Sequence, residues 1–172
     1  TIQGKIERCL SEIAGEAVEI HGAGRTDAGV HAKGQVANFR LNTEISCEEL
    51  KFKLNEMLPK TVSVKSVQVA EPRFHARLNA KAKTYIYRLW DSEEKAVFYE
   101  PFVWQCFDIT GIIDTDKLNE KLENFIGEHD FKGFKASGTS SKSSVRTIYK
   151  AEIYEANDKI FIELTGNGFL YN

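Results

Sequence analysis

The sequence is poor in the residues and segments that mark several common protein classes. It contains three cysteines, three prolines and one methionine among 172 residues. Cys9, Cys47 and Cys106 lie far apart with no Cys-x-x-Cys pair, which argues against both a zinc site and a disulfide framework. No apolar run approaches the ~18 residues of a membrane span, and the first residues have no signal-peptide pattern. We therefore expect a soluble, cytoplasmic protein with reduced cysteines and no membrane partner.

An excess of positive charge is also missing. Lysine and arginine number 23 against 25 aspartates and glutamates, for a net charge of −2, whereas a nucleic-acid-binding domain is usually basic. Between Lys60 and Arg88, however, basic residues are frequent and Glu71 is the one acidic residue. A local stripe of this kind is sufficient for contacts to phosphates. An ordinary solvated strand face is the alternative interpretation.

The most distinctive stretch that is present runs from Gly22 to Ala32 and is rich in small residues. Segments typical of strands precede it at Val18–His21 and follow it at Gln35–Phe39. Its three glycines, Gly22, Gly24 and Gly29, permit positive φ angles and a close approach of a ligand to the backbone. The pattern predicts a loop held between two strands.

Four side chains in this loop have functional groups suited to catalysis or binding: Arg25, Thr26, Asp27 and His31. A surface hairpin loop without function has a similar composition, so the residue types alone leave both interpretations open. A metal-dependent hydrolase built from His21, Asp27 and His31 is another alternative, although their spacing matches no recognised metal motif.

Periodicity predicts the elements of the first half. Apolar residues at helical spacing indicate a helix from Ile2 to Ile13 that ends at Gly15. The Ser46-Cys47-Glu48-Glu49 capping box opens a second helix that stops at Pro59. Valines at positions 62, 64, 67 and 69 favour a strand, although their alternation is broken between Val64 and Val67.

The second half is predicted to contain three strands and a helix. Thr84–Trp90 alternates so that Tyr85, Tyr87 and Leu89 share one face. Residues 91–110 are expected to be irregular. The remaining predictions are a helix that begins at Asp114 or Thr115 and ends at Gly127, a small polar loop at 133–144, and a hairpin of 145–156 with 159–166 across Asn157-Asp158. The element order predicts an α+β protein with two similar halves, 1–78 and 79–172, which share an antiparallel sheet with helices on one side.

Four segments together resemble a known family. Gly24-Arg25-Thr26-Asp27-Ala28-Gly29-Val30-His31-Ala32 resembles the signature of the tRNA pseudouridine synthase I family, the TruA-type enzymes. Three further blocks follow in the family's order: Arg73–Arg77 with Lys83–Tyr87, Gly127–Phe131, and Gly166–Asn172. Because the four blocks are in the family's order and span nearly the whole chain, together they identify the family much more specifically than any one block would alone.

The resemblance implies a fold and a reaction. The fold would be two ferredoxin-like halves with a central active-site cleft, usually in a homodimer. The reaction would be the isomerisation of uridine to pseudouridine in tRNA, at positions 38 to 40 of the anticodon stem-loop. An aspartate nucleophile suffices for this chemistry, so neither a metal nor another cofactor is expected.

The resemblance also implies roles for individual residues. Asp27 would be the catalytic nucleophile, and Arg25 would hold the place of the flipped nucleotide. Tyr85 would stack on the uracil and help to remove the C5 proton, and Leu170 would pack against the floor of the site. The RNA-contacting residues would be Phe74, His75, Ala76, Arg77, Leu78 and Lys142.

The chain departs from the family pattern at both ends. It stops at Asn172, before the Met-Val-Arg whose arginine pairs with the catalytic aspartate in the family, and it lacks the family's initial strand. The chain therefore resembles a family member truncated at both ends. A non-catalytic, tRNA-binding fragment is the alternative function that this departure leaves open.

Overall fold

A computed structural model describes residues 1–106, 113–135, 143–157 and 159–170. The chain divides into two compact units, Thr1–Ala80 and Lys81–Asn172. Each unit combines helices with a small sheet, which confirms the α+β class. Among the described residues, no helix is both long enough and apolar enough to cross a membrane.

The first unit begins with the predicted helix α1, Ile2–Ala14. The Thr1 side chain caps its N-terminus by accepting from Gly4 N–H, and Gly15 ends it in the left-handed region with φ 72°. Strands β1, Ile20–Gly22, and β2, Ala37–Phe39, pair antiparallel around the glycine-rich loop. They are shorter than predicted, but they place the loop between two strands as the sequence indicated.

Helix α2, Cys47–Met57, starts at the predicted cap, where the Ser46 side chain accepts from Glu49 N–H at 3.2 Å. Its inner face and that of α1 supply most of the first unit's core. The buried members of this core are Cys9, Leu10, Val18, Ile20, Leu50, Leu54 and Leu58.

The strand predicted for Val62–Val69 is wrong, because no strand forms there. The side chain of Asn55 on α2 occupies both backbone groups of Val64, accepting from its N–H at 2.7 Å and donating to its carbonyl at 3.0 Å. Val62, Val64 and Val67 still pack against the core. The apolar alternation therefore reports burial against helices rather than pairing with another strand.

The second unit is built on a five-stranded sheet in the order β4-β3-β7-β6-β5. Its central strands are β3, Lys83–Trp90, β6, Val145–Ala156, and β7, Lys159–Gly166. Strand β7 lies antiparallel between β3 and β6, so the predicted β6–β7 hairpin is confirmed. The edge strands are β4, Trp104–Gln105, and β5, Gly127–Asp130.

Two expectations for this sheet need correction. The sheet is mixed rather than antiparallel, because β4 pairs parallel to β3 within the stretch that was predicted to be irregular. The described strands also form two separate sheets, with β1 and β2 in the first unit and the other five in the second, rather than one shared sheet. Strand β4 spans only two residues, too few for its alternation to be seen in the sequence.

Helix α3, Thr115–Leu122, begins at Asp114, whose side chain accepts from Lys117 N–H. It ends earlier than predicted and continues as a 3-10 turn, Glu123–Phe125, before Gly127. Asn119 joins the helix to β6 by accepting from Ile153 N–H and donating to its carbonyl, both at 2.8 Å. The core beneath it contains Leu89, Cys106, Ile153 and Ile160.

Candidate active site and RNA-contact segment

The glycine-rich loop is closed at its base and turns sharply at its tip. At the base, Ala23 N–H donates to the Val36 carbonyl at 2.8 Å, and the Gln35 side chain donates to the Gly24 carbonyl at 2.7 Å. At the tip, Val30 N–H donates to the Asp27 carbonyl at 3.2 Å. Gly29, with φ 83°, occupies the third position of this turn, where a positive φ is required. Asp27 is therefore the first residue of a defined turn.

The side chains of Arg25, Asp27 and His31 are all exposed on this loop. Within the part of the chain that the structure describes, no ion pair includes Asp27. In the same part, no group of three or more histidine, cysteine, aspartate or glutamate side chains could hold a metal ion, so His21, Asp27 and His31 do not form the alternative metal site. The loop presents a carboxylate and a guanidinium to solvent.

The segment predicted to contact RNA is held by backbone hydrogen bonds. Its centre is Ala76, which is 3% exposed and donates its N–H to the Asn38 side chain on β2 at 2.8 Å. Asn79 closes the segment by accepting from His75 N–H at 2.7 Å and donating its own N–H to the His75 carbonyl at 2.9 Å. Because the backbone is held in this way, the side chains of Phe74, His75, Arg77 and Leu78 project from a rigid turn.

His75 and Arg77 line an open groove of about 480 Å³ in the first unit. Its lining includes Gln3, Glu19, His21, His75, Arg77 and Leu78. The His21 ring stacks on the His75 ring with a centroid separation of 5.5 Å. His75 Nδ1 accepts from the Arg77 N–H at 3.2 Å, so the neutral imidazole carries its proton on Nε2. The groove thus contains an oriented imidazole donor next to a guanidinium.

Tyr85, Phe169 and Leu170 are half-buried residues of the second unit. The Tyr85 ring meets the edge of the Phe169 ring at 4.9 Å with an interplanar angle of 79°. Along β3, exposure differs on the predicted common face, because Leu89 is 4% exposed and Tyr87 is 60% exposed. Tyr85 therefore combines an aromatic partner with an accessible surface.

The structure brings together some of the predicted site residues. Arg25 and Asp27 share one loop, and Phe74 to Leu78 form one turn. Tyr85 lies on β3, which pairs with β7, and Leu170 follows β7 shortly after its end at Gly166. Lys142 lies outside the described residues. Sequence reasoning missed the contacts that His21 and Asn38 make with the 74–79 segment, because only the β1–β2 register brings them there.

A family model described as tRNA pseudouridine synthase matches residues 1–79 and 122–172 of the chain. These two ranges contain the glycine-rich loop, the 74–79 segment and the Gly166–Asn172 block. The match therefore covers more than half of the chain. It includes three of the four blocks in full, Gly24–Ala32, Gly127–Phe131 and Gly166–Asn172, and the Arg73–Arg77 part of the other.

Individual relatives support the same assignment. The tRNA pseudouridine synthase A of Bacillus sp. (strain KSM-64) is 42% identical over all 172 residues, which cover 69% of that protein. The tRNA pseudouridine synthase A 2 of Bacillus anthracis is 40% identical with the same coverage. The tRNA pseudouridine synthase A of Maridesulfovibrio salexigens is 39% identical over 99% of the chain and 62% of that protein. The chain therefore belongs to the tRNA pseudouridine synthase family of isomerases.

Proposed function

We propose that the chain isomerises uridine to pseudouridine in the anticodon stem-loop of tRNA, with Asp27 as the nucleophile. The observation that carries this proposal is the exposed Asp27 carboxylate at the tip of a loop closed by backbone hydrogen bonds. Ordered backbone around an accessible nucleophile reduces the entropy lost when the substrate is positioned.

The reaction breaks the bond between N1 and C1′ of uridine and forms one between C5 and C1′. C5 loses a proton and N1 gains one, so the reaction neither gains nor loses atoms. The Asp27 carboxylate serves this chemistry either by adding to the ring or by abstracting the ribose proton that leads to a glycal. Both routes use the residue's charge and reach, and neither requires a metal or an organic cofactor.

We assign RNA contact to the segment Phe74, His75, Ala76, Arg77 and Leu78, in which the buried Ala76 holds the turn in place and the other four side chains project from it. Support comes from the held backbone of this turn and from the groove beside it, in which the His75 Nε2–H and the Arg77 guanidinium are hydrogen-bond donors. Phosphate oxygens accept from such donors in sequence-independent contacts. Lys142 is included by its place in the family pattern alone.

The target uridine must leave the base stack to reach Asp27. We assign to Arg25 the task of holding the vacated place in the helix. Tyr85 is assigned to stack on the flipped uracil and to assist removal of the C5 proton, and Leu170 to pack against the floor of the site. Half-burial of Tyr85 and Leu170 is compatible with these tasks, since each side chain keeps some accessible surface.

The larger-scale predictions belong to the same proposal. They are two ferredoxin-like halves divided after residue 78, a central active-site cleft, and a homodimer. Both units have an asparagine that joins a helix to a neighbouring backbone through two hydrogen bonds: Asn55 on α2 and Asn119 on α3. This repeated device supports a similarity between the halves.

Mapping of pseudouridine in unmodified tRNA tests the substrate assignment. The purified protein should form pseudouridine at positions 38 to 40 of the anticodon stem-loop and at no uridine of the acceptor stem. A matched tRNA with cytidines at those positions should yield no product. Product elsewhere would overturn the assignment of the stem-loop, whereas tRNA binding with no product at all would favour the non-catalytic binding alternative.

A further inference from the structure

Asn167 has no role in the proposed function, yet its hydrogen bonds connect the segment after β7 to the start of β6. Its N–H donates to the Thr147 carbonyl at 3.0 Å, and its Oδ1 accepts from Thr147 N–H at 3.1 Å. Its Nδ2 also lies 3.4 Å from Thr147 Oγ1. Backbone and side chain of Asn167 therefore both hold one residue of the neighbouring strand.

Gly166, which precedes Asn167, allows this close approach, and Gly168, which follows it, lies at ordinary contact distance from β6. A Cβ on Gly166 would lie 2.9 Å from the Thr147 carbonyl oxygen and 3.1 Å from Ile148 Cδ1. A Cβ on Gly168 would lie 3.5 Å from Arg146 Nε. The chain from 166 to 168 is thus packed directly against β6, and Asn167 supplies the hydrogen bonds that keep it there.

Phe169 follows this packed segment and meets the Tyr85 ring edge-on at 4.9 Å. The backbone of Tyr85 is held by the β3–β7 ladder, in which it is paired with Leu164. Ladder pairing does not set the rotation of the ring, whereas an edge-to-face neighbour favours one orientation. The orientation of Tyr85 therefore depends on where Phe169 lies, and Phe169 depends on the segment that Asn167 anchors.

We propose that Asn167 is a positioning residue that orients Tyr85 through Phe169. This inference rests on the proposed role of Tyr85 in stacking on uracil and assisting removal of the C5 proton. Asn167 touches no reacting atom in this account. Its loss should slow the chemical step while tRNA binding, which depends on many phosphate contacts, stays nearly unchanged.

The test compares Asn167→Ala with Asn167→Asp in single-turnover and steady-state assays of pseudouridine formation. Asn167→Ala removes the Oδ1 acceptor, and we expect kcat to fall by about ten- to a hundredfold, with KM and tRNA affinity within about twofold of wild type. Asn167→Asp keeps an oxygen that accepts from Thr147 N–H and another that accepts from its hydroxyl. The aspartate variant should therefore retain kcat within about threefold.

Phe169→Leu provides an independent arm, because it removes the ring contact and leaves the Asn167 hydrogen bonds intact. It should lower kcat in the same manner, and the double variant Asn167→Ala/Phe169→Leu should be no slower than the slower single variant, since both act through one path. If Asn167→Ala fails to fold, as judged by thermal unfolding, Asn167→Ser takes its place, because the shorter side chain cannot put an oxygen at the position of Asn167 Oδ1. A kcat of Asn167→Ser equal to that of wild type would then reject the positioning role.

Contrary outcomes are distinct from a failure of the proposed function. Wild-type protein that forms no pseudouridine would reject the function itself. Active wild type with Asn167→Ala equally fast, or with a loss confined to KM and tRNA affinity, would reject the positioning role alone. An Asn167→Asp variant as slow as Asn167→Ala would also contradict it, because the hydrogen-bond acceptor would then not be the feature that matters.

Discussion

At the scale of single residues, Gly166 shows how little space the second unit leaves between the end of β7, strand β6 and Phe169. It is buried at the end of β7, opposite Ile148, where β6 has an irregular register between Ile148 and Lys150. Since no φ constraint applies at Gly166, the requirement for glycine there arises from contact with the Thr147 carbonyl.

Gly166→Ala should lower the free energy of unfolding by about 1–3 kcal/mol, because the added methyl must displace backbone or Ile148. Gly133→Ala in the same unit is the matched control, since a Cβ there meets nothing within 4 Å. Urea denaturation of both variants checks the prediction. Equal stability of Gly166→Ala and Gly133→Ala would show that β6 and β7 can move apart at Gly166 without a loss of stability.

Individual residues also show what the sequence could and could not reveal. The types of Arg25, Asp27 and Tyr85 alone left their function open, and the prediction of chemistry came from the four ordered segments that resemble the family, which can be recognised without coordinates. The partners of the 74–79 segment, His21 and Asn38, were not predictable, because they come from strands far away in the chain. Contacts of this kind depend on strand register, which the sequence pattern does not specify here.

At the scale of elements, helix α1 is joined to strand β1 by a side-chain network. Glu7 Oε1 accepts from the Gln3 side chain at 2.9 Å and from Ile20 N–H at 3.1 Å. These hydrogen bonds, first that from Gln3 and then that from Ile20, lower the pKa of Glu7 below its ordinary value of 4.5. The network fixes the strand that leads into the glycine-rich loop.

Glu7→Ala should lower the free energy of unfolding at pH 7 by about 1.5–3 kcal/mol through loss of these charge-assisted hydrogen bonds. Since the folded-state pKa is lowered, the stabilisation by ionised Glu7 is complete above the unfolded-state pKa and is lost as the pH falls through the folded value. The difference in unfolding free energy between Glu7→Ala and wild type should therefore become smaller below about pH 4.5.

Denaturation curves between pH 7 and pH 3.5 measure this difference. Glu12→Ala, at an exposed position of the same helix, should have little effect at any of these pH values. If the loss of unfolding free energy in Glu7→Ala did not change with pH, the charge of the Glu7 carboxylate would contribute nothing to stability.

Elements with strong local signals were predictable, and those that depend on distant partners were not. Local residues mark the ends of both long helices of the first unit and the turn of the β6–β7 hairpin. Gly15 ends α1, and Ser46 caps the start of α2. The valine run 62–69 and the two-residue strand β4 were misjudged. In the valine run, the Asn55 side chain takes the hydrogen bonds that a neighbouring strand would make with Val64. Strand β4 is a strand only because it pairs with β3, which its own two residues do not reveal.

At the scale of the whole molecule, a net charge of −2 must be reconciled with a polyanionic substrate. The proposed RNA-contact groove concentrates donors locally, and Arg77 contributes to it a guanidinium with no hydrogen bond or ion pair among the described residues. The same lining contains one carboxylate, Glu19, so the groove as a whole is not positively charged. The release of counterions on binding is therefore expected from the individual phosphate contact of Arg77.

Arg77→Ala should weaken tRNA binding and reduce the slope of log K against log salt by about 0.7–1, which corresponds to one lost phosphate contact. Arg8→Ala, which removes an exposed charge from α1 outside the groove, serves as the control and should leave the slope unchanged. Filter binding over a series of salt concentrations measures both slopes. An unaltered slope for Arg77→Ala would remove this residue from the RNA contact.

Tritium release from C5-labelled uridine in unmodified tRNA tests most directly whether Asp27 performs the chemistry. Wild type and Glu16→Gln, which alters an exposed carboxylate outside the loop, should both release tritium. Asp27→Asn should bind tRNA normally and lower the rate by at least about 10³-fold, because the nucleophile is removed without a change in shape. Release by Asp27→Asn at a rate close to that of wild type would contradict the account.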